Sequence, residues 1–361
     1  MVFSRIGQGC EFQKSDVSSS LQIQAIRYGI DKGLTFLDTA EVYGDGFSEE
    51  MIGKAVKKIR ANVFISSKFS AENSGYKDVL RAVDRSLLRL KTDYLDLYQA
   101  HWPNPRIPIS ETMAALEKLV SDGKVLRIGV SNFSKFELIQ AQNALLNNKI
   151  FSNQIEYNLF DRFIEQEMLP FCQLNNINVI AYSPLLKGKT FDGIKSRELL
   201  TYLSSKYHVS ISQLALSWLI SRKFVFAIPK STNHHHILEN AEAITLKIEI
   251  EDMARIDETC AAVTIEVPTE EIRVVLDGEG NKKVYQTLSE AIENKLNLSP
   301  SPVELAESIK LGEITKPVRL IINSDSTSAY KYNLIEGRLR YWAWVIAFNG
   351  EKPIPSYVRY D

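Results

Sequence analysis

The sequence predicts an α/β chain: a closed (β/α)8 barrel followed by a small α+β domain. Three observations carry this. Apolar runs of strand length alternate with helical patterns through most of the chain, and eight such pairs can be counted by about residue 242. No GxGxxG follows the first of these runs, which argues against an open dinucleotide-binding sheet. After about residue 263 the alternation stops, and short strands and helices mix in no fixed order.

Each element can be read in turn. Strands are expected at 6–10, 35–38, 63–68, 94–101, 125–130, 152–157, 179–182 and 225–228. Helices are expected at 48–59, 76–90, 109–122 and 135–147, with Ser48 as a plausible N-cap for the first, and helical sequence follows each later strand. Strand, crossover helix and strand repeated this often imply a parallel sheet, and eight units favour closure into a TIM barrel. The barrel is assigned residues 1–262. In 263–361, strands are expected at 263–267, 273–276, 317–322, 330–335 and 354–360. Helices are expected at 287–296, at 303–311 from Ser301 or Pro302, and at 339–348 after Gly337. Asp277-Gly278-Glu279-Gly280 reads as a turn.

Composition narrows the function. Lys and Arg total 43 against 44 Asp and Glu, so no global field draws the chain to nucleic acid or anionic lipid. No apolar run is long enough to span a bilayer, and the first ten residues lack a signal-peptide layout. Cys10, Cys172 and Cys260 show neither ligand spacing nor redox spacing. These features are read as a cytoplasmic protein with reduced thiols and no membrane partner.

In a barrel of this kind, residues just past the strand C-termini face the active site. Asp38 ends the second strand, Tyr43 lies in the following loop, Lys68 ends the third strand and His101 ends the fourth. Any one of them alone is more often structural. Together, three successive strands deliver them to one rim. A phenol titrates near ~10 and is a poor acid at neutral pH, but an ammonium lowers that value. Lys68 supplies the ammonium, Asp38 holds it in place, and His101 offers a hydrogen bond to a substrate oxygen. Such a set protonates a carbonyl oxygen while a cofactor delivers hydride, since no side chain can donate one.

The same stretches resemble the aldo-keto reductases. The carriers are Asp38-Thr-Ala-Glu-Val-Tyr43-Gly, Lys68 after its β-rich run, Asp93-Tyr-Leu-Asp-Leu-Tyr-Gln-Ala-His101-Trp-Pro and Ile128-Gly-Val-Ser131-Asn132-Phe. Gln154-Ile-Glu-Tyr-Asn, Ala181-Tyr182-Ser183-Pro184-Leu185 and Ile228-Pro229-Lys230-Ser231 follow in the family's order, so the resemblance spans about residues 4–259. It implies reduction of an aldehyde or ketone by NADPH, with NADH also admitted, and Tyr43 as general acid. It further implies that Ser131, Asn132 and Gln154 contact the nicotinamide carboxamide and that Tyr182 stacks on the ring. Ser183 and Leu185 would meet the pyrophosphate, Lys230 and Ser231 the 2′-phosphate, and Glu239 and Asn240 the adenine. His236 stands where many members carry an arginine on that phosphate, within the run His234-His235-His236. A histidine is largely neutral at pH 7 and makes no bidentate pair, so the NADPH preference is less firm here. No metal is expected at this run, because consecutive helical side chains point about 100° apart.

The C-terminal segment resembles the ParB/sulfiredoxin-like domains. The carriers are Pro302-Val-Glu-Leu-Ala-Glu-Ser-Ile-Lys310, Lys316-Pro317-Val and Tyr332-Asn-Leu-Ile-Glu336-Gly337-Arg338-Leu339-Arg340-Tyr-Trp-Ala343. The resemblance implies a nucleotide-phosphate turn at Gly337, Arg338 and Arg340, consistent with free N–H groups at a helix start. Arg338 replaces the sulfiredoxin cysteine and Leu339 its histidine, so reductase activity on oxidised cysteine is not expected. No helix-turn-helix follows, which counts against sequence-specific DNA binding. Three readings of this module stay open: nucleotide-binding regulator, nucleic-acid module, or structural lid. For the whole chain, the rival to a carbonyl reductase is a cofactor-binding redox sensor or scaffold that acts through the C-terminal domain.

Overall fold

The computed structural model describes residues 4–15, 18–186, 194–260, 264–275, 285–298, 300–313, 315–323, 325 and 327–359, which leaves the expected turn at 277–280 outside the described residues. The chain forms two compact units, 1–261 and 262–361.

In the first unit, strands and helices alternate: β1 (Gln8–Gly9), α1 (Ser19–Asp31), β2 (Phe36–Asp38), α2 (Phe47–Val56), β3 (Phe64–Phe69), α3 (Tyr76–Leu90), β4 (Leu97–Ala100) and α4 (Ile109–Ser121). Then follow β5 (Ile128–Ser131), α5 (Lys135–Ala144), β6 (Ile150–Glu156), α6 (Met168–Leu174), β7 (Asn178–Tyr182), α7 (Ile194–Tyr207), α8 (Ile211–Ser221), β8 (Val225–Ala227), α9 (His234–Glu242) and α10 (Ile250–Cys260). The eight strands pair in sequence order, all parallel. The sheet closes where Ile6 bridges Ala227, with Gly7 N–H donating to the Ala227 carbonyl at 2.8 Å and Gly9 N–H to the Pro229 carbonyl at 3.0 Å. Closure removes both sheet edges, so strands of only two or three residues at β1 and β8 still have their backbone groups paired.

The two-residue side-chain period sorts the barrel interior into layers. Phe36, Phe64, Leu97, Ile180 and Ile228 form an apolar cluster apart from the main core. Two residues further along, Ser66 and Gln99 are fully buried, and Gln99 bridges Ser66 (2.9 Å) and Ser152 (3.3 Å). Another step of two brings Lys68 and His101, and in β2 the step from Phe36 reaches Asp38. The register that buries the apolar layer therefore also presents the site.

Two local readings are corrected. Ser48 does not cap α2: Gly46 does, at φ +83°, a left-handed geometry that costs a glycine little. Ser48 is instead fully buried, its hydroxyl accepting from the Phe12 N–H at 2.7 Å and donating to the Phe12 carbonyl at 3.0 Å. The helix expected at 48–59 accordingly starts one residue earlier and ends at Val56.

The second unit holds β9 (Thr264–Val267), β10 (Ile272–Val274), α11 (Leu288–Ile292), α12 (Pro302–Lys310), β11 (Val318–Ile322), β12 (Tyr332–Glu336), α13 (Arg338–Phe348) and β13 (Ile354–Arg359). Its mixed sheet runs β10-β12-β11-β13-β9. Ser301 and Glu304 form a full capping box at the start of α12. Trp342 and Trp344 on α13 are buried, their indole N–H groups donating to the Tyr285 and Lys352 carbonyls, both at 3.0 Å. Both rings belong to the core of this unit.

Candidate active site

Lys68 is fully buried and its ammonium donates to Asp38 Oδ1 at 2.5 Å and to the Thr39 carbonyl at 2.8 Å. A buried ion pair is costly unless its remaining polar atoms are also satisfied. Here they are: Asp38 Oδ2 accepts from Gln154 Nε2 at 2.8 Å. Lys68 Nζ lies 5.2 Å from the centroid of the Tyr43 ring, and that ring meets the His101 imidazole edge to face at 5.6 Å. The four residues expected at the rim are thus brought together, with Gln154 joined to them.

Electrostatics distinguish their roles. Burial works against the Lys68 ammonium, but Asp38 and Tyr43 outweigh it, and the group stays charged to higher pH than a free lysine. Burial pushes the Tyr43 phenol up, and Lys68 only partly offsets this. Lys68 lowers the phenol as expected, but desolvation of a phenolate is the larger effect in the resting site. The phenol keeps its proton and has one to give. Burial, with Lys68 nearby, pulls His101 down to about 3. His101 is neutral at physiological pH, an uncharged hydrogen-bonding group.

The loop that carries Tyr43 is clamped by Glu41, which sequence reasoning left unassigned. Glu41 Oε1 accepts from the Ser70 N–H at 2.8 Å and Asn73 Nδ2 at 2.6 Å, and its own N–H donates to the Lys68 carbonyl at 3.0 Å. Glu41 thus ties the loop after β2 to the loop after β3. The only hint in the sequence is the acid within Asp38-Thr-Ala-Glu41.

The expected cofactor contacts fall into two groups. Ser131, Asn132, Gln154 and Tyr182 adjoin the catalytic set. Asn132 Nδ2 donates to the His101 carbonyl and to Ser131 Oγ, both at 3.1 Å, and Asn132 Oδ1 accepts from the Tyr182 hydroxyl at 2.9 Å. Asn132 holds φ +61° and Ser183, next to Tyr182, φ +48°. Left-handed backbone at non-glycine residues costs energy and clusters at functional sites. Leu185 packs against the main core. The second group lies past β8 and on α9: Lys230 and His236 are exposed, Ser231 and Glu239 half-buried, and Asn240 buried. This donor set suits a long ligand with an amide and aromatic end near Tyr43 and an anionic end near α9.

In the second unit, Gly337 precedes α13 at φ +94°. Arg338 Nε donates to the Val275 carbonyl at 3.3 Å and Arg340 Nη1 to the Lys316 carbonyl at 3.0 Å, with Glu336 3.8 Å from Arg340.

A buried lysine–aspartate pair thus lies beside a phenol and a neutral imidazole at the C-terminal rim of a closed barrel, a set of groups suited to protonating a carbonyl oxygen. The sequence profile of the Aldo/keto reductase family matches residues 6–261, and the chain belongs to that family as an NAD(P)H-dependent enzyme. It is 36% identical over 259 residues to methylglyoxal reductase YeaE of Escherichia coli (strain K12), covering 71% of this chain and 91% of that protein. It is 37% identical over 238 residues to glyoxal reductase of Bacillus subtilis (strain 168), covering 65% and 82%. Among solved structures, an aldo/keto reductase from Klebsiella pneumoniae in complex with NADP and acetate superposes with a TM-score of 0.68 at 36% identity, over 72% of this chain and 92% of that one.

Proposed function

We propose that residues 1–262 reduce an aldehyde or ketone to the alcohol with NADPH, Tyr43 acting as general acid. The observation that carries this is the buried Asp38–Lys68 pair set beneath a protonated phenol. The reduced nicotinamide, when bound, supplies the hydride. Tyr43 gives its proton to the carbonyl oxygen, and Lys68 stabilises the phenolate that remains. Neutral His101 hydrogen-bonds to the same oxygen and orients it. Gln154 ties the carboxamide end of the cofactor site to Asp38, so cofactor placement and the ion pair share one network. Ser131, Asn132 and Tyr182 would hold the nicotinamide, and Lys230, Ser231, His236, Glu239 and Asn240 the adenosine phosphate end. The two reductases reported above act on small dicarbonyls by name, so methylglyoxal and glyoxal are the substrates to assay first.

Fluorescence titration of the purified chain tests the cofactor reading. NADPH is expected to bind in the micromolar range or tighter and NADH several-fold more weakly. Binding of neither would end the reductase proposal. The three cysteines are buried free thiols, and burial raises Cys172 to about 12 and Cys260 to about 11, which suits a reducing cytoplasm. No helix among the described residues is long and apolar enough to cross a membrane.

Residues 263–361 are read as a ParB/sulfiredoxin-like module that binds a nucleotide. The support is a helix start at Gly337 beside two arginines, each anchored through one nitrogen to a backbone carbonyl. Calorimetry with ATP, CTP and GTP should show heat with at least one of them, reduced by Arg340→Ala. No heat with any of the three at high protein concentration would leave a packing role for the module.

A further inference from the structure

The start of α9 brings together three metal-type donors: His235, which has no role in the proposed cofactor site, and His236 and Glu239, which lie at its adenosine end. His235 and His236 lie one turn below Glu239, at i−4 and i−3, and residues at those two spacings are neighbours on a helix surface. His235 Nδ1 is 3.5 Å from Glu239 Oε2, and donor atoms of all three residues lie within 4.8 Å of one another. Consecutive rings diverge by about 100°, but Glu239, one turn higher, stands beside both of them. His234 takes no part: its ring stacks on Tyr28 with centroids 4.3 Å apart. Asn233 fixes the turn by accepting from the His235 N–H at 2.8 Å and the His236 N–H at 3.4 Å. The His235 side chain is 76% exposed, so its ring has room to swing inward to bonding distance.

We propose that His235, His236 and Glu239 bind a divalent late-transition cation of the zinc type, and that this ion supplies positive charge toward the 2′-phosphate of NADPH. Two imidazoles and one carboxylate suit zinc, nickel or copper rather than calcium or magnesium, which prefer oxygen ligands. Three protein ligands leave a coordination position open for water or an anionic oxygen. Neutral histidines and one carboxylate leave the loaded site with net positive charge. The helix N-terminus is itself partly positive, which opposes a lone cation and favours an ion paired with a phosphate. Ion and NADPH should therefore tighten each other, by the same factor in each direction. The second half of this inference rests on the cofactor placement proposed above; the first does not.

The test uses the full chain, freed of cofactor, titrated with zinc chloride by calorimetry. His235→Ala is the diagnostic variant, since His235 lies outside the residues assigned to the cofactor and its side chain is largely exposed. One zinc per chain is expected, with affinity at least tenfold lower in the variant. No saturable zinc binding, or equal binding by the variant, overturns the site. Fluorescence titrations with NADPH and NADH are then repeated with zinc present. Zinc should tighten NADPH at least threefold, leave NADH unchanged, and have no effect in His235→Ala. Equal weakening of both coenzymes overturns the phosphate role, because the ion would then compete with the adenosine. Failure of both coenzymes to bind even without zinc overturns the reductase reading, while calorimetry still decides the ion site.

Discussion

Replacing Tyr43 with phenylalanine should lower carbonyl reduction by about 10²–10⁴-fold, the usual worth of a positioned general acid. NADPH affinity should stay within about twofold, a bound consistent with uniform binding being left intact. The ring stays, and with it the contact to His101, so only the transferable proton is lost. The pH profile sharpens the test. His101 lies at about 3 and Tyr43 above its ordinary value, so wild-type kcat/KM should hold a plateau between those limits. Activity falls on the acid side as His101 gains a proton and charge, and on the alkaline side as Tyr43 loses the proton it must donate. An acid limb near the free-histidine value of ~6.5 would show that His101 titrates in the working enzyme and would remove its role as a neutral donor. In the phenylalanine variant the alkaline limb due to Tyr43 should vanish from the residual rate. A variant with full activity would shift the case toward a chain that senses cofactor without using it.

The placement of the proposed catalytic residues was legible because strand order and the two-residue period together say which residues end up where. Asp38, Lys68 and His101 each follow an inward apolar residue, Phe36, Phe64 or Leu97, by an even number of positions. Counting parallel strands then places them on one end of a barrel. What escaped depends on partners distant in sequence. Ser48 sits before acidic residues like an N-cap, yet the backbone of Phe12 claims its hydroxyl. The positive φ needed to start α2 falls to Gly46, within Gly44-Asp-Gly46. The phenol of Tyr43 goes up rather than down because burial is a property of the assembled loops, not of the Asp38–Tyr43 stretch. The link from Asn132 to Tyr182, and from Gln154 to Asp38, joins strands far apart in the chain, and no local pattern announces it. Glu239 lies beside His235 and His236 from one helical turn away, a juxtaposition that the histidine run itself does not announce. In the second unit, the start of α12 was legible as Ser301 or Pro302 because both signals are local: Ser301 is the N-cap and Pro302 the first helical residue.

Lys68→Met should combine two losses that arise from one contact. The variant leaves the Asp38 carboxylate buried with only Gln154 as a side-chain donor. Removing one partner of a buried pair costs ~3–5 kcal/mol, since the other charge then lacks compensation. For a unit of this size, each kcal/mol moves the thermal midpoint by about 2–4 °C, so a drop of roughly 6–20 °C is expected. Adding Asp38→Asn should recover part of that drop, because no charge is then stranded. The kinetic loss should behave differently. In the proposed mechanism Lys68 stabilises the phenolate that Tyr43 becomes, so its removal should cost at least about tenfold in kcat in the wild-type background. Where Tyr43 is already phenylalanine there is no phenolate to stabilise, and Lys68→Met should then cost little more, the non-additivity of residues that act as a unit. Stability and catalysis therefore separate in the double variants: Asp38→Asn rescues the midpoint but not the rate, and Tyr43→Phe masks the rate effect but not the midpoint. An unchanged thermal transition in Lys68→Met would mean that the pair is hydrated in solution. Fully additive rate losses would mean that Lys68 acts on something other than the phenol.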